Sequence, residues 1–482
     1  AGELLIGTAE TDITPALPAA IMGQFYLRLA DSVETPLTAN VVALESRDGN
    51  NSPDMAIMVS CDVGMVPALY VKMVRNKVKK RLPDLDVNKI FINATHTHTA
   101  PVLEQDAILQ YVIPKEGVLQ PEDYQEFFAQ QVSDAIVRAW KKRSPGSVTW
   151  GLGHASIAHN RRPVYSNRAA DPGPFLNGKV QMYGSPNSPD FMNMEGMSED
   201  DVNILFFWNK RGEIIAMAID VPCPAQEVEG RLAVNADYWH PVREKLKHRF
   251  GPDLCVVGWI GASGDQSPHV IYRRAAEDRM RELRGLTRLE EIARRIVLAV
   301  EETYETVKTE RQTNVQLIHK VEFIDLPVFK ISEREYLFAM AERDKYAAMI
   351  EEDPDAAEKV NAQRSWNAHT VSRYEMQQEG PYPVMETEVH VLRIGDIVVC
   401  TNPYELFTDF GIRMQARSRA LQTFTIQLVG PGAGHYVPTA EAVEGGGYSA
   451  IPQSCPVGPE GGQILVDKTV KLIDELFTGE EQ

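Results

Sequence analysis

The chain has 482 residues, 44% of them hydrophobic and 24% charged, which is ample material for an apolar core and by length alone allows two or three domain-sized units. Its formal net charge of -18 excludes nucleic acid and anionic membrane as natural partners, because both repel an acidic surface. No apolar run approaches the ~20 residues that a membrane-spanning helix needs.

The first residues, Ala1-Gly2-Glu3-Leu4-Leu5, carry neither a charged n-region nor a long apolar core, and no methionine opens the chain. This predicts a leader already removed and a secreted or periplasmic protein. Cys61, Cys223, Cys255, Cys400 and Cys455 are scattered and odd in number, so no disulfide framework is expected. Three of them, Cys61, Cys255 and Cys400, sit in apolar runs where a free thiol serves as a small hydrophobe.

Taken in order, strand-like and helix-like segments alternate, which predicts α/β layering. Ala56 to Asp62 reads as a buried strand and Leu69 to Leu82 as a helix. The apolar run Lys89 to Thr95 reads as a strand that breaks at Thr99-Ala100-Pro101. Pro121 to Lys142 reads as a helix with proline in its first turn. Ser144 to Ala158 reads as strands, and Asn160 to Ser198 as a Pro/Gly/Asn/Ser-rich excursion of the kind that forms functional loops.

Ile204 to Trp208 and Ile214 to Val221 predict a hairpin around Lys210-Arg211-Gly212. A strand at Cys255 to Ile260 opens into a glycine-rich loop. Two long charged stretches follow, Arg273 to Val307 and Glu333 to Gln378, with the mixed-sign spacing of solvated helices. Val389 to Cys400 predicts a hairpin around Gly395-Asp396, Phe424 to Val429 a strand, and Ile464 to Phe477 a final amphipathic helix. There is no repeat and no low-complexity linker, so the whole chain reads as one unit.

Chemistry gathers at the predicted strand ends, where α/β proteins present their sites. His96-Thr97-His98 follows the strand at 89–95, and period-two geometry would send both imidazoles to one side as a metal pincer. Gly261-Ala262-Ser263-Gly264-Asp265-Gln266-Ser267-Pro268-His269 offers a backbone nest with Ser267 as donor or nucleophile, or a plain strand-to-helix turn. Asn402-Pro403-Tyr404-Glu405 places a carboxylate at a strand end, as a metal ligand or as the first residue of a helix. Gly430 to Thr439 brings His435 and Tyr436, with Tyr448 beyond, and Pro222-Cys223-Pro224 is a rigid turn or holds a reactive or ligating thiol.

This ordered set resembles the neutral/alkaline (non-lysosomal) ceramidases. His96-Thr97-His98-Thr99-Ala100-Pro101 is similar to that family's His-Thr-His-Ser-Gly/Ala-Pro signature, and Asn160-Arg161-Arg162-Pro163 to its Asn-Arg-Ser-Pro element. Gly264-Asp265-Gln266-Ser267-Pro268 resembles Gly-Asp-x-Ser-Pro-Asn, Asn402 to Thr408 resembles Pro-Gly-Glu-Phe-Thr, and His435 to Thr439 resembles Tyr-Ile/Val-Thr-Thr. The resemblance covers about residues 5 to 450. It implies a single catalytic domain over 1–482, of mixed β-sheets flanked by helices in an α-β-β-α layering, with a loop-rich insertion at 160–198 and helical segments at 273–378.

The resemblance also implies a zinc ion on His96, Glu405 and Tyr436, whose activated water attacks an amide carbonyl. His98 would act as base or proton shuttle, and Arg161, Tyr448 and the Ser267 loop would stabilise the oxyanion. In the family a second zinc histidine lies in a Val-His-Pro-Thr element. The matching stretch here places Cys223 in that slot as thiolate ligand, with His240 or loss of the metal as alternatives. After the helix at 464–477 the chain leaves no room for the family's C-terminal immunoglobulin-like domain. The 160–198 segment is polar rather than a greasy funnel, so a substrate other than ceramide is expected.

The expected protein is thus a zinc-dependent hydrolase of N-acyl amides acting on a small molecule. Hydrolysis of an ester or acylated glycan is the alternative within that class. A non-catalytic binding protein that keeps the fold, or a thiol enzyme with Cys223 as nucleophile, are the alternatives outside it.

Overall fold

The computed structural model describes residues 2–105, 108–166, 178–432 and 435–478. Two β-sheets packed face to face carry helices on their outer faces. The larger sheet, ten-stranded, uses Gly2–Asp12 (β1), Thr38–Asp48 (β2), Asn51–Cys61 (β3), Ile90–Ala94 (β4), Ser144–His154 (β5), Asp201–Asn209 (β6), Ile214–Val221 (β7) and Cys255–Ile260 (β8). Their order is β8-β7-β6-β5-β1-β2-β3-β4, closed by the short strand Val429–Gly430, with Asn314–Val315 beside β1. The smaller sheet runs Leu317–Pro327 (β9), Val384–Ile394 (β10), Ile397–Thr401 (β11) and Gln422–Ile426 (β12) in that order.

Between the sheets lies an apolar layer in which Leu4, Val42, Phe91, Val148 and Phe207 of the large sheet meet Leu392, Val399 and Phe424 of the small one. The opposite face of the large sheet is covered in two places. Helices α1 (Ala68–Arg81) and α2 (Pro121–Lys141) cover β1 to β4, and α3 (Trp239–Phe250) and α5 (Arg288–Val307) cover the β5 to β8 end. The far face of the small sheet packs on α8 (Thr408–Arg417) and α9 (Pro459–Leu476). The expected α-β-β-α layering is therefore present, and it follows from strands whose residues are apolar on both faces and need cover on both.

Several boundaries differ from the sequence reading for local reasons. The stretch from Arg273 to Val307 is two helices, α4 (Arg274–Leu283) and α5, separated by Gly285 at φ +68° and by the Thr287–Glu290 capping box. Glu333 to Gln378 breaks at Asp353-Pro354 into α6 (Glu333–Glu352) and α7 (Ala357–Gln378), because proline cannot continue the helix. One face of α7 is not solvated: Ala362, Ser365, Trp366 and Thr370 are buried. Within the 160–198 excursion, residues 178–198 are built against short strands, Pro163–Tyr165 pairing with Phe191–Met194; 167–177 lie outside the described residues. Among the described residues no helix is long and apolar enough to cross a membrane.

Within the two large sheets three described strand pairs run parallel, β3 with β4, β7 with β8, and β11 with β12. Their carboxyl ends meet at one edge of the two-sheet stack. A buried ion pair holds that edge. Asp62, just past β3, receives both terminal nitrogens of Arg243 from α3, at 2.7 and 2.9 Å, and also the Thr38 amide and the Thr95 hydroxyl. Replacing one partner of such a pair leaves the other charge buried and uncompensated. Asp62→Ala is therefore expected to cost about 3–5 kcal/mol, read as a lowered urea midpoint with little change in slope.

Candidate functional site

His96 and His98 leave β4 in a loop, not in a strand. His96 adopts φ +64°, a left-handed conformation uncommon for a residue with a side chain, and its amide is fixed on Val63 O at 3.0 Å. The Thr97 and Thr99 hydroxyls both donate to Asn235 O, at 2.7 and 2.6 Å, and clamp the loop from the other side. The two imidazoles meet, Nε2 to Nε2 at 3.1 Å. They do so through this turn and not through the strand alternation that the sequence suggested.

His96 Nδ1 lies 2.5 Å from Gly64 O, which can only accept, so the proton is on Nδ1 and Nε2 is left facing Glu405 Oε1 at 2.8 Å. Burial alone would lower the His96 pKa, but the charge and hydrogen bond of Glu405 outweigh it and raise the value above that of free imidazole. The space between Nε2 and the carboxylate thus favours a positive charge, whether proton or metal.

Glu405 does not open a helix. Glu405–Leu406 is a short strand paired parallel with Tyr436–Val437, so Glu405 and Tyr436 lie side by side, and α8 begins only at Thr408. The close approach of the glycine-rich loop explains Gly264: a Cβ there would lie 2.4 Å from Glu405 O. Arg161, almost fully buried, reaches across and donates from one nitrogen to Gly264 O at 3.0 Å and to the Tyr436 hydroxyl at 2.9 Å. The Tyr448 hydroxyl is 3.5 Å from that of Tyr436, and the rings meet edge to face. Burial pushes the pKa of both phenols up. Neighbouring Arg162 is structural: it pairs with Glu195 at 2.7 Å and ties down the carbonyls of Ala442, Gly446 and Tyr448.

Two expected residues are not part of this group. Ser267 is buried under the site, where its hydroxyl accepts from Tyr183 at 2.9 Å and from the His269 amide. Cys223 is 0% exposed and sits in apolar packing with Ile157 and Trp239. Its Sγ faces the carbonyls of Ile157 and Pro224 at 3.8 and 3.7 Å, and the Tyr238 hydroxyl donates to Cys223 O. Burial raises the thiol pKa well above normal, so the group is neutral and a poor nucleophile. His240 lies on α3 and does not line the cavity described next.

A cavity of about 220 Å³ opens over His96, His98, Glu405, His435, Tyr436 and Tyr448. Its other wall is apolar, built by Phe25, Val102, Leu103, Ile108, Leu109 and Trp366. Phe25 packs edge to face on both Trp366 and Tyr448. Neither Lys nor Arg lines it among the described residues. This wall escaped the sequence reading, which looked for it in 160–198. It comes from the tip after Ala19–Ile21, the loop after Pro101 and one face of α7.

Behind His98 stands a second charged group that sequence reasoning did not connect to the site. His98 Nδ1 is 3.5 Å from Glu229 Oε2, and His269 lies between Glu229 at 2.9 Å and Glu227 at 3.3 Å. The spacing Glu227-Val228-Glu229 just past the Cys223 turn was the available signal. The exposed set His154, Asp200 and Asp201 is the one group of three or more His, Cys, Asp or Glu ligand atoms mutually within 4.8 Å among the described residues. It lies at the β5–β6 ends and none of the three lines the cavity.

The architecture and the site define a class, a layered α/β protein with an apolar cavity walled on one side by imidazole, carboxylate and phenol groups. Two solved structures named as ceramidases are similar to it in fold. The chain is similar in fold to the neutral ceramidase from Pseudomonas aeruginosa, with a TM-score of 0.66, 16% identity, and coverage of 100% of this chain and 76% of that one. It is equally similar to a ceramidase complexed with C2, with a TM-score of 0.66, 15% identity, and coverage of 100% and 77%. By sequence, no family model and no curated protein matches.

His269 gives this region a measurable pH signature. Burial opposes its charge, but hydrogen bonds donated to Glu227 and Glu229, and the nearby Tyr183, raise its pKa to about 11. A raised folded-state value means stability that is full below the unfolded value of 6.5 and is lost as pH rises toward 11. Wild-type protein should lose up to about 1.4 kcal/mol per pH unit from this group across that window. His269→Gln should flatten the slope of urea-unfolding stability against pH; an unchanged slope would show that His269 is not held as imidazolium.

Proposed function

We propose that the protein is a zinc-dependent hydrolase that cleaves an amide (N-acyl) bond of a small, partly apolar substrate. The observation that carries this reading is the 2.8 Å approach of His96 Nε2 to Glu405, beside Tyr436 and at the wall of an apolar cavity. Imidazole, carboxylate and a phenol supported by arginine suit zinc in kind. The buried Nε2 of His435, which makes no hydrogen bond, belongs to a residue that lines the same cavity, as expected of a site that works with a cation or ligand in it. The likeness of fold to proteins named ceramidases points to the same bond type.

His96, Glu405 and Tyr436 would hold the metal. When bound, zinc supplies Lewis acidity that polarises a carbonyl and brings the pKa of a water toward neutrality. Arg161, held by Gly264 O, keeps positive charge beside the phenols, and with Tyr448 it stabilises charge that develops on the carbonyl oxygen. The apolar wall takes the acyl group and excludes water from the reacting bond. The cavity's volume of about 220 Å³ compares with roughly 150 Å³ for a cavity that binds benzene. It gives room for an aryl or medium acyl group.

Protein dialysed against zinc should retain one equivalent per chain and hydrolyse N-acyl anilides with short or aryl acyl groups. Glu405→Ala should lose both properties. Arg161→Met should keep the metal while kcat falls by about 10²–10³, the usual cost of removing an oxyanion donor. Zinc-loaded protein that cleaves acyl esters but no amide would move the reading to an esterase, and protein that takes up no zinc would end it.

A further inference from the structure

The proposed metal set lacks a second nitrogen or sulfur donor, because the Cys223 thiol is turned into apolar packing. We infer that His98 fills this role, binding through Nε2, and that Glu229 and His269 are positioning residues that fix its ring for it. This assignment deepens the zinc reading above and rests on it.

Four features single out His98. Its Nε2 is directed at His96 Nε2 at 3.1 Å, close to the roughly 3.3 Å between two nitrogens that share a tetrahedral ion with bonds of 2.0–2.1 Å. Its other nitrogen faces Glu229 Oε2 at 3.5 Å and the Gly23 backbone. Both favour a proton on Nδ1, which leaves the Nε2 lone pair pointing inward. A carboxylate behind the distal nitrogen is the arrangement that orients metal-bound imidazoles.

The ring is also held mechanically. Gly23, at φ +112°, lies flat against it, and a Cβ there would come within 2.5 Å of His98 Cγ. Buried Arg28 donates to the carbonyls of Met22, His98, Glu229 and Arg231, so the loop carrying His98, the glycine against it and the segment carrying Glu229 share one guanidinium. His269, between Glu227 and Glu229, fixes the Glu229 carboxylate in turn. That much apparatus around a single imidazole exceeds what a loop histidine needs. His98 Nε2 and the Glu405 carboxylate are not yet within 4.8 Å of each other, so the cation would draw them together across His96.

Metal binding tests the assignment without any substrate. Wild type, His98→Ala, Glu229→Gln and Cys223→Ser would be titrated with zinc against a competing chelator, and their cobalt(II) forms examined by absorption. His98→Ala should weaken zinc binding by at least 10²-fold and Glu229→Gln by about 10–100-fold, the usual effect of removing a ligand's carboxylate partner. Cys223→Ser should bind like wild type, and wild-type cobalt protein should show no thiolate charge-transfer band. Should His98→Ala misfold by circular dichroism, Glu229→Gln carries the comparison. Unchanged zinc affinity in both the His98 and Glu229 variants, or a thiolate band that Cys223→Ser removes, overturns the assignment and leaves the zinc reading standing. Failure of wild type to bind either metal overturns both.

Discussion

The bidentate contact between Asp62 and Arg243 is the constraint on which the reactive edge of the molecule depends. A carboxylate with no solvent exposure is tolerable only when its lone pairs are satisfied, and here five donors converge on it, from Thr38, Thr95 and Arg243. Thr38 begins β2, Thr95 precedes His96, and Arg243 belongs to α3. One ion pair thereby sets the distance between the sheet and a helix while fixing the residue before the histidine turn. From α3 the same chain of contacts runs on, since Tyr238 at its start donates to Cys223 O. The His96 loop and the Cys223 turn are thus registered against each other through a single helix.

The remaining site residues are gathered by the direction of the strands. In a parallel pair both carboxyl ends emerge together. His96 follows β4, Glu405 follows β11, the glycine-rich loop follows β8, and Tyr436 lies beyond β12. Packing the two sheets face to face brings these separate ends to one rim, so groups more than three hundred residues apart in sequence meet within hydrogen-bond reach. Polarity is divided across that rim. The arginines stand behind it, buried and bound to carbonyls, while the cavity shows imidazole, carboxylate, phenol and apolar surface. Among the described residues neither lysine nor arginine lines the cavity.

What the sequence reveals depends on how local the physics is. Ile90-Phe91-Ile92 and Val398-Val399-Cys400 are strands because they are apolar on both faces, and that is readable from a few residues. Leu317–Pro327 pairs along its length with β10 yet alternates only loosely between buried and exposed, so no clear period marks it. Gly2–Asp12 and Thr38–Asp48 hide in the same way, as apolar cores framed by polar ends. The meeting of His96 and His98 was anticipated, but it arises from a left-handed residue that no propensity predicts. Trp366 was illegible for a different cause: it sits in a helix whose charges dominate its composition, and only tertiary contact with Phe25 and Tyr448 tells which face is inward.

Cys223 shows that a short sequence motif does not fix the direction in which a side chain points. The chain around it is fixed at several points: Gly261 N donates to Val221 O, Ala225 N to Thr95 O, and the Tyr238 hydroxyl to Cys223 O. With the backbone so held, the side chain at 223 falls among Ile157, Ala225, Tyr238 and Trp239. A thiol can be buried there as a small hydrophobe. Nor does a thiolate form easily in a place where desolvation and the nearby carboxylates of Asp237 and Glu227 both oppose its charge. Turning the thiol out of this place would break the packing and leave an anion to be formed under cover, whereas the His98 imidazole already faces His96 through Nε2.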